Sequence, residues 1–439
     1  MTADDTRPAR ASRLAWMVFA VAAVTYFVAV IHRTALGVAG VEAADRFGVE
    51  ATALSMLAVL QIAAYAAMQV PSGVLLDRWG PAPVMVVGSL VMAVGQGLMA
   101  YAPGFGWALA ARLLIGMGDA PIFIAATKIV GLYFPPKRVP VMVQTTGILG
   151  QAGQLASAIP VAFALHHAGW SGTFGGLAVL GVLAAVGVWW ALMRPGHGKP
   201  TEEPDIFSIR EALRLHWRTP GVRLGFWSHF LGPFSINTIA LLWGVPFFTQ
   251  GEGRTTAEAS MLLTVAVLTN IAAGPLIGSL TARHPLRRSW LVLGGASLTA
   301  LAWIGILVPS TPRPLWQLVL FVVVISSGGP MSLVGMDFAR SYAAQRRAGS
   351  ATGFVNMGGF AASIIAILIV GVALQLASPS GATTYTLDEY RMAFTTLLIP
   401  YAIGVIGVVS SRRETRAAMA ADGVHVPTLS DLRRRWRDS

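Results

Sequence analysis

The stretch that decides the fold is the octapeptide GVLLDRWG at residues 73–80. It follows a long apolar run, and it returns in reduced form as GSLTAR at residues 278–283, so that its first glycine and its arginine recur 205 positions later. A second recurrence, with an offset of 209, relates Tyr133 to Tyr342 and the basic pair 137–138 to the pair 346–347. Such spacing predicts two halves of similar structure.

The composition excludes a water-soluble protein. Of the 439 residues, 55% are hydrophobic and 12% are charged, and the mean hydropathy is +0.63. Soluble domains carry about 25% charged residues, so this chain cannot cover a water-facing surface. Cysteine is absent, which excludes disulfides and thiolate metal sites. We therefore predict an all-α integral membrane protein with no metal site and no cofactor.

Apolar runs long enough to cross a bilayer occur twelve times. Their predicted limits are 14–38, 52–76, 81–102, 107–133, 139–165, 171–193, 222–249, 257–282, 289–308, 315–341, 349–377 and 391–411. This pattern predicts two six-helix bundles at residues 1–193 and 222–411, a linker at 194–221 and a basic tail at 412–439.

The linker is predicted to contain a short amphipathic helix on the membrane surface. Ser208 and Glu211 have the spacing of a capping box, in which the two residues satisfy each other's backbone amides. The apolar side chains around them are Ile206, Phe207, Ile209, Leu213 and Trp217. A disordered connector is the alternative.

Lysine and arginine are distributed unevenly between the two membrane faces. If the spans alternate in direction, most of the 32 basic residues share a face with both termini. The loops of the opposite face hold four: Arg46, Arg254, Arg313 and Arg391. This asymmetry predicts a multi-pass protein of the inner (plasma) membrane with both termini in the cytoplasm. The net charge of +12 then faces anionic lipid, and nucleic acid is not a predicted partner.

Ionisable side chains inside apolar spans are costly and call for a functional reason. Span 1 contains His32 and Arg33, and span 4 contains Arg112 and Asp119. The last two are seven residues apart, about 10.5 Å along one helix face, which suits a cluster bridged by a ligand, a water or another side chain. Arg33 can join this cluster. The excess of arginine favours an anionic substrate, since a guanidinium binds a carboxylate in bidentate fashion.

Other interpretations of these charges stay open. Arg112 and Asp119 can neutralise each other through neighbours and simply hold helices together, and Arg33 can extend to the membrane interface. Two polar stripes, on spans 2 and 5, contain Tyr65 and Gln151, which we favour as cavity-lining residues. Hydrogen bonding between helices is the alternative for both stripes.

With these residues in view, the whole chain resembles the major facilitator superfamily, whose members have two parallel six-helix halves around a central cavity. The segment 73–80 is similar to the superfamily's loop motif G-x-L-x-D-R-x-G, although prolines and an alanine at 81–83 replace its usual basic residues. The resemblance implies a monomer with a latch on the inner face, formed by Asp77 and Arg78, with Asp77 near the N-terminus of span 11.

A narrower resemblance rests on HRTALGVA at 32–39 and on the pattern of span 4, in which an arginine is followed seven residues later by an acid, alanine and proline. Both are similar to the anion:cation symporter family, which includes galactonate and hexuronate symporters and sialic acid carriers. The resemblance implies that Arg33 binds a substrate carboxylate and that Arg112 and Asp119 couple transport to protons.

The same resemblance implies that Asn356 contacts the substrate, and Tyr26 is a further candidate for substrate binding. His32 stands where the family has an acid. Because histidine titrates near pH 6.5 when unperturbed, His32 is a candidate second proton-coupling group, although it changes the charge balance and leaves the proton stoichiometry open.

Lys128 and Asp337 are equivalent by the offset of 209 and carry opposite charges. One hypothesis is that they pair between the halves and close the inner gate when the cavity opens outward. On an ideal helix, however, Lys128 points away from Asp119 unless Pro121 redirects the chain. The alternative is that Asp337 pairs with Arg340 and that Lys128 extends to the inner interface.

The sequence therefore predicts a secondary transporter that imports a small organic anion of carboxylate type, with protons by alternating access. A proton-coupled exporter of lipophilic or cationic compounds is the first alternative, and a sensor that binds solute without moving it is the second. The sequence shows no zinc-protease motif, nucleotide loop or intramembrane catalytic pair, so an enzyme is not expected.

Overall fold

The computed structural model describes residues 12–49, 51–193, 208–378 and 384–424. The predicted tails at 1–11 and 425–439 and the apolar residues Ile206 and Phe207 of the linker lie outside these ranges.

Helices make up most of the described chain. Those of the first half are Arg13–Val38, Gly40–Phe47, Ala51–Ala67, Gln69–Trp79, Pro81–Tyr101, Phe105–Tyr133 and Val139–Leu192. The linker and second half contain Ile209–Arg218, Pro220–Leu231, Phe234–Thr238, Ile239–Trp243, Gly244–Pro246, Phe247–Gly251, Thr256–Arg283, Arg288–Leu307, Leu315–Ser326, Gly328–Ser332, Val334–Tyr342, Gln345–Arg347, Ala348–Ala377, Leu387–Thr395 and Leu398–Ala421.

Within the described ranges, ten helices are long and apolar enough to cross a membrane, and the bent pair Met56–Ala67 and Gln69–Trp79 makes an eleventh span. The 54-residue helix Val139–Leu192 would be about 80 Å long, more than twice the thickness of a hydrocarbon core. Gly169 interrupts it with φ 64° and ψ −174°, so this segment crosses twice. The twelve predicted spans are confirmed, and we number them 1 to 12 in chain order.

Two boundaries differ from the prediction. Residues 166–170 were expected to form a loop between spans 5 and 6, but the reversal takes place at Gly169 alone. Glycine lacks a Cβ and adopts a positive φ at little cost, so a single residue is enough. Span 12 also continues to Ala421, so that the first ten residues of the predicted tail, 412–421, are helical.

The linker helix Ile209–Arg218 has the predicted capping box. The Ser208 hydroxyl accepts from the amide of Glu211, and the Glu211 carboxylate accepts from the amide of Ser208. The helix also docks on the second half, because His216 is buried and its Nε2 lies 2.9 Å from Ser350 Oγ. The linker helix is therefore packed against span 11 rather than resting only on lipid.

Spans 2 and 11 form one of the two main seams between the halves. We call the membrane face where span 1 begins and span 12 ends the terminal side, and the other face the far side. Near the terminal side, a Cβ at Gly73 would lie 2.6 Å from the Gly349 carbonyl oxygen, so only glycine permits this approach. Spans 5 and 8 form the second seam, where a Cβ at Gly278 would lie 3.1 Å from Val141 Cα.

Gly73→Ala is expected to lower the thermal unfolding midpoint and to force the halves apart on the terminal side, since overpacking costs about 1–3 kcal/mol. Gly176→Ala is the matched control, because a Cβ at this helical glycine meets no atom within 4 Å. Thermal unfolding of both purified variants is the measurement. Equal midpoints for the two variants would contradict the close packing at Gly73.

Candidate functional site

A cavity of about 350 Å³ lies between the halves, near the middle of the bundle. This volume is in the range of small-molecule sites. From the first half, its lining includes Tyr26, Arg33, Tyr65 and Gln151, and from the second half Asn356. All five residues predicted to bind substrate therefore line one cavity.

Arg33 and Asp119 form a bidentate ion pair at the wall of this cavity. Arg33 Nε donates to Asp119 Oδ2 at 2.6 Å, and Arg33 Nη2 donates to Oδ1 at 3.0 Å. The Asp119 side chain is completely buried, whereas that of Arg33 is 27% exposed. The guanidinium thus links a buried carboxylate to the space of the cavity.

Arg112 lies behind this pair and does not line the cavity. Its Nη2 donates to the backbone carbonyl oxygen of Arg33 at 3.2 Å, so it does not hydrogen-bond to Asp119 directly. Arg112 is 3% exposed, and its Nε and Nη1 have no hydrogen-bond partner among the described residues. The structure thus brings Arg33, Arg112 and Asp119 together, with Arg33 between the other two.

Tyr65 and Asn356 connect the charged pair to the second half. The Tyr65 ring lies 4.7 Å from Arg33 Cζ, a cation–π distance, and it packs against Phe360 of span 11. Asn356 Nδ2 donates to Gln69 Oε1 at 2.7 Å and to the Tyr65 hydroxyl at 3.5 Å. A change at Arg33 can therefore reach span 11 through two side chains.

His32 faces away from the cavity. It is completely buried, and a Cβ at Gly181 of span 6 would lie 2.9 Å from its Cε1. Adjacent residues of a helix point about 100° apart, and of the two neighbours Arg33 lines the cavity whereas His32 does not. The structure does not bring His32 into the charged cluster.

The second half contributes polar side chains that the sequence analysis did not select: His229, Asn237 and Asn270 line the cavity. His229 Nδ1 lies 3.0 Å from the Ser332 carbonyl oxygen, and Asn237 Nδ2 donates to Ser363 Oγ at 2.9 Å. His229 and Asn237 lie two helical turns apart in span 7, so their spacing was a usable signal, whereas Asn270 lies in span 8. Only the three-dimensional packing shows that all three share one surface.

Asp77 joins the halves on the terminal side. Its two carboxylate oxygens accept from the amides of Gly349 and Ser350, each at 2.7 Å, at the beginning of span 11. The positive end of that helix favours the carboxylate. Lys128 of span 4 donates to Asp77 Oδ1 at 2.8 Å, and Arg78 is exposed beside it.

The predicted pair between Lys128 and Asp337 is wrong for this conformation. Lys128 pairs with Asp77, and Asp337 pairs with Arg340 on its own helix. Lys128 lies nine residues, or two and a half turns, after Asp119, so it points away from the cavity and towards span 2. Pro121 does not redirect it.

The halves are sealed on the terminal side of the cavity. Within the described ranges, Gln144 Nε2 of span 5 donates to the Pro330 carbonyl oxygen of span 10 at 2.7 Å, in addition to the bonds made by Asp77 and Asn356. The lining extends towards the far side as far as Leu241 and Leu263. This arrangement is a conformation closed on the terminal side.

Two related six-helix halves, a charged cavity between them and a seal on one side define a membrane transport protein. The sequence profile of the Major Facilitator Superfamily matches residues 22–367, and it matches residues 252–435 as well. The chain therefore belongs to the Major Facilitator Superfamily and is a transport protein rather than an enzyme.

Similar proteins carry the names of organic acid transporters. The probable L-galactonate transporter of Escherichia coli K12 is 26% identical over 287 residues, which cover 62% of this chain and 61% of that protein. The probable galactarate/D-glucarate transporter GarP of the same strain is 25% identical over 405 residues, 81% and 86% of the two chains. The probable sulfoacetate transporter SauU of Cupriavidus necator is 24% identical over 391 residues, 82% and 87%.

Arg33→Met is expected to lower the unfolding midpoint sharply, because removal of one partner of a buried ion pair costs about 3–5 kcal/mol. Adding Asp119→Asn to the Arg33→Met variant should restore part of the lost stability. A double-mutant cycle of thermal unfolding measures this coupling. The control cycle combines Asp119→Asn with Arg46→Met, at a cation that packs on Trp170 near the far side. Additive losses for Arg33 and Asp119 would mean that the pair contributes nothing to stability.

Proposed function

We propose that this protein imports a small organic anion bearing a carboxylate, together with protons, by alternating access. The observation that carries the proposal is the bidentate pair of Arg33 with Asp119 at the cavity wall. The similar proteins support the substrate class, since L-galactonate, galactarate, D-glucarate and sulfoacetate are all carboxylates.

Asp119 and the substrate compete for one guanidinium. While Asp119 is ionised, it neutralises the charge of the guanidinium and accepts from Arg33 Nε and Nη2, so a substrate carboxylate can reach only the remaining donors. A proton on Asp119 removes its charge and one of its acceptors, and Arg33 can then turn its donors to the substrate. Proton and anion therefore bind together, which is the requirement for symport.

Arg112 adds a second positive charge that the substrate does not touch. With ionised Asp119, the three residues carry one net positive charge, and with protonated Asp119 they carry two. A cavity with this surplus attracts anions and disfavours cations. Arg112 thus acts as a positioning residue, which contacts the backbone of Arg33 and reinforces its charge.

Substrate binding reaches the seal through Tyr65 and Asn356. The Tyr65 ring lies on Arg33, and Asn356 bonds both Tyr65 and Gln69 across the seam between spans 2 and 11. A substrate that engages Arg33 and Asn356 draws the Asn356 amide away from Tyr65 and Gln69 in the seam. We propose that this loss loosens the seal and that the halves then open to the terminal side.

The terminal side is assigned to the cytoplasm from the distribution of lysine and arginine. The conformation described above then faces outward, and the proposed direction is import along the proton gradient. Proposed localisation is the inner (plasma) membrane, with both termini in the cytoplasm and with a monomer as the transporting unit.

Asp119→Asn is expected to abolish accumulation of the anion driven by a pH gradient, because the proton site is lost. Exchange of labelled for unlabelled anion should continue, since Arg33 is permanently released. Proteoliposomes loaded with galactarate, galactonate or sulfoacetate give both readouts from one preparation. Full gradient-driven accumulation by Asp119→Asn would exclude Asp119 as the coupling site.

Arg33→Gln should abolish both accumulation and exchange, whereas Arg46→Gln, at a cation outside the cavity, should change neither. Loss of one bidentate contact to a charged group predicts a decrease in affinity of at least about tenfold. If the unmodified protein instead transports lipophilic cations, and the Arg33→Gln variant transports them at the same rate, the chain is an exporter of the alternative class.

Anion affinity is expected to rise as the pH falls. If one proton accompanies each anion, Kd should become about ten times larger for each unit by which the pH rises, in the pH range where Asp119 is ionised in the free protein. Binding measured by thermal stabilisation between pH 5.5 and 7.5 tests this slope, and Asp119→Asn should flatten it. An unchanged slope in that variant would place the proton on another group.

A further inference from the structure

A second pocket, of about 380 Å³, lies on the terminal side between the two halves. Its first-half lining comes from the end of span 4 and the beginning of span 5, including Lys137 and Pro140. Its second-half lining comes from spans 8, 9 and 10, including Ala282, Arg288 and Arg340. It is separate from the central cavity, with which it shares no lining residue.

The internal repeat identifies this pocket as the counterpart of the Asp77 seal. In the first half, Gly73 packs on the backbone of Gly349 and Ser350 at the start of span 11. In the second half, the equivalent Gly278 packs on the backbone of Pro140 and Val141 at the start of span 5. The two contacts are related by the same offsets, 205 and 209, that relate the sequences.

The chemistry of the two seals differs. Four residues after Gly73, the Asp77 carboxylate binds two amides of span 11, but four residues after Gly278 the chain has Ala282. The amide of Gly349 has no counterpart either, because Pro140 carries no N–H. The second seal therefore lacks a tethered anion at the position where the first seal depends on one.

Cations surround that position instead. Arg288 and Arg340 stand where the first half has Pro83 and Gly131, and with Lys137 they give three positive charges against the single carboxylate of Asp337. Two positive charges are therefore left over. A tethered anion in the first seal is replaced by a cationic pocket in the second.

Both arginines have hydrogen-bonding capacity to spare. Arg288 is 92% buried, since its exposed fraction is 8%; its Nη2 donates to Ser341 Oγ at 2.8 Å, and it lies over the Phe338 ring. Arg340 pairs with Asp337. Within the described ranges, Arg288 Nε and Arg340 Nη1 have no partner. Buried donors of this kind are costly unless an acceptor satisfies them.

We propose that this pocket binds a phosphate-type oxyanion, which takes the part of the missing carboxylate and fastens the second seal. Arg288 and Arg340 would hold the oxyanion, and Lys137 and the start of span 5 would hold it from the first half. Arg340 already reaches across, since a Cβ at Gly131 of span 4 would lie 3.5 Å from its Cδ. The oxyanion bridges the halves and stabilises the conformation closed on the terminal side.

This pocket is independent of the transported substrate. An anion bound there would regulate the protein from the terminal side, where separation of the halves would destroy the site. The source of the oxyanion is either free phosphate or the headgroup of an anionic lipid, and both supply the same acceptors.

Thermal unfolding of the purified full-length protein, with inorganic phosphate titrated against sodium chloride at equal ionic strength, tests the proposal. Phosphate should raise the midpoint in a saturable manner. Arg288→Gln and Arg340→Gln should each lose this shift, and the matched control Arg283→Gln, at an exposed cation outside the pocket, should keep it. Arg33→Gln should keep it as well, because the central cavity is a different site.

Ala282→Asp is the decisive variant, since it supplies the carboxylate covalently. It should raise the midpoint in chloride alone and remove the response to phosphate. This gain in stability distinguishes a restored seal from a variant that merely folds poorly.

Lipid nanodiscs separate the two sources of the oxyanion. A shift with phosphatidylglycerol over pure phosphatidylcholine, lost in Arg288→Gln, assigns the site to a headgroup. A shift with free phosphate in pure phosphatidylcholine, lost in the same variant, assigns it to the soluble ion.

A conformational readout follows from the absence of native cysteine. Val70→Cys places a thiol in the seam with span 11, where Val70 is 2% exposed. Phosphate at ten times its Kd should slow maleimide labelling of this thiol about elevenfold, because labelling requires the halves to separate. The effect should vanish in Arg288→Gln.

Three results would overturn the proposal. One is a midpoint that neither phosphate nor anionic lipid raises beyond chloride. Another is a phosphate shift that survives in Arg288→Gln and Arg340→Gln. The third is a shift that Arg33→Gln abolishes, because phosphate would then bind in the central cavity.

Discussion

The ion pair between Arg33 and Asp119 is the interaction on which the proposed transport mechanism depends. Neither charge is tolerable alone in the apolar middle of a bundle, and each is stable because the other is within hydrogen-bonding distance. The pair fixes spans 1 and 4 against each other, and it leaves part of the guanidinium open to the cavity. In the proposed mechanism, stability and anion recognition draw on the same guanidinium, so a proton on Asp119 exchanges one for the other.

The two seals between the halves also depend on charged side chains, but the charges are paired differently in each half. In the first half, the carboxylate of Asp77 binds Lys128 and caps span 11, so the buried carboxylate has its partners within the protein. In the second half, Ala282 replaces the carboxylate and two arginines with unused donors face the pocket. The repeat conserves the packing of glycine on a helix start, while the charges on that scaffold diverge.

Much of the architecture could be predicted from the sequence. Twelve apolar runs, the recurring loop motif and the capping box at Ser208 all have local causes, which residue order records directly. The partners of the charged residues could not be predicted so well. Lys128 and Asp337 are equivalent and opposite in charge, yet each pairs with another residue, and His32 turns away from its neighbour Arg33. A helix presents a new face every residue, so small errors in rotation change the partner completely.

The sequence by itself determined the membrane class, the two halves and the few ionisable residues inside the spans, because hydrophobicity and the cost of buried charge act on each segment alone. Tertiary structure alone decided that Arg33 rather than Arg112 binds Asp119, that His229 and Asn270 share the cavity, and that Arg288 and Arg340 meet at the second seal. These facts depend on distances between residues far apart in the chain. Such distances are set by how helices pack, which no single span encodes.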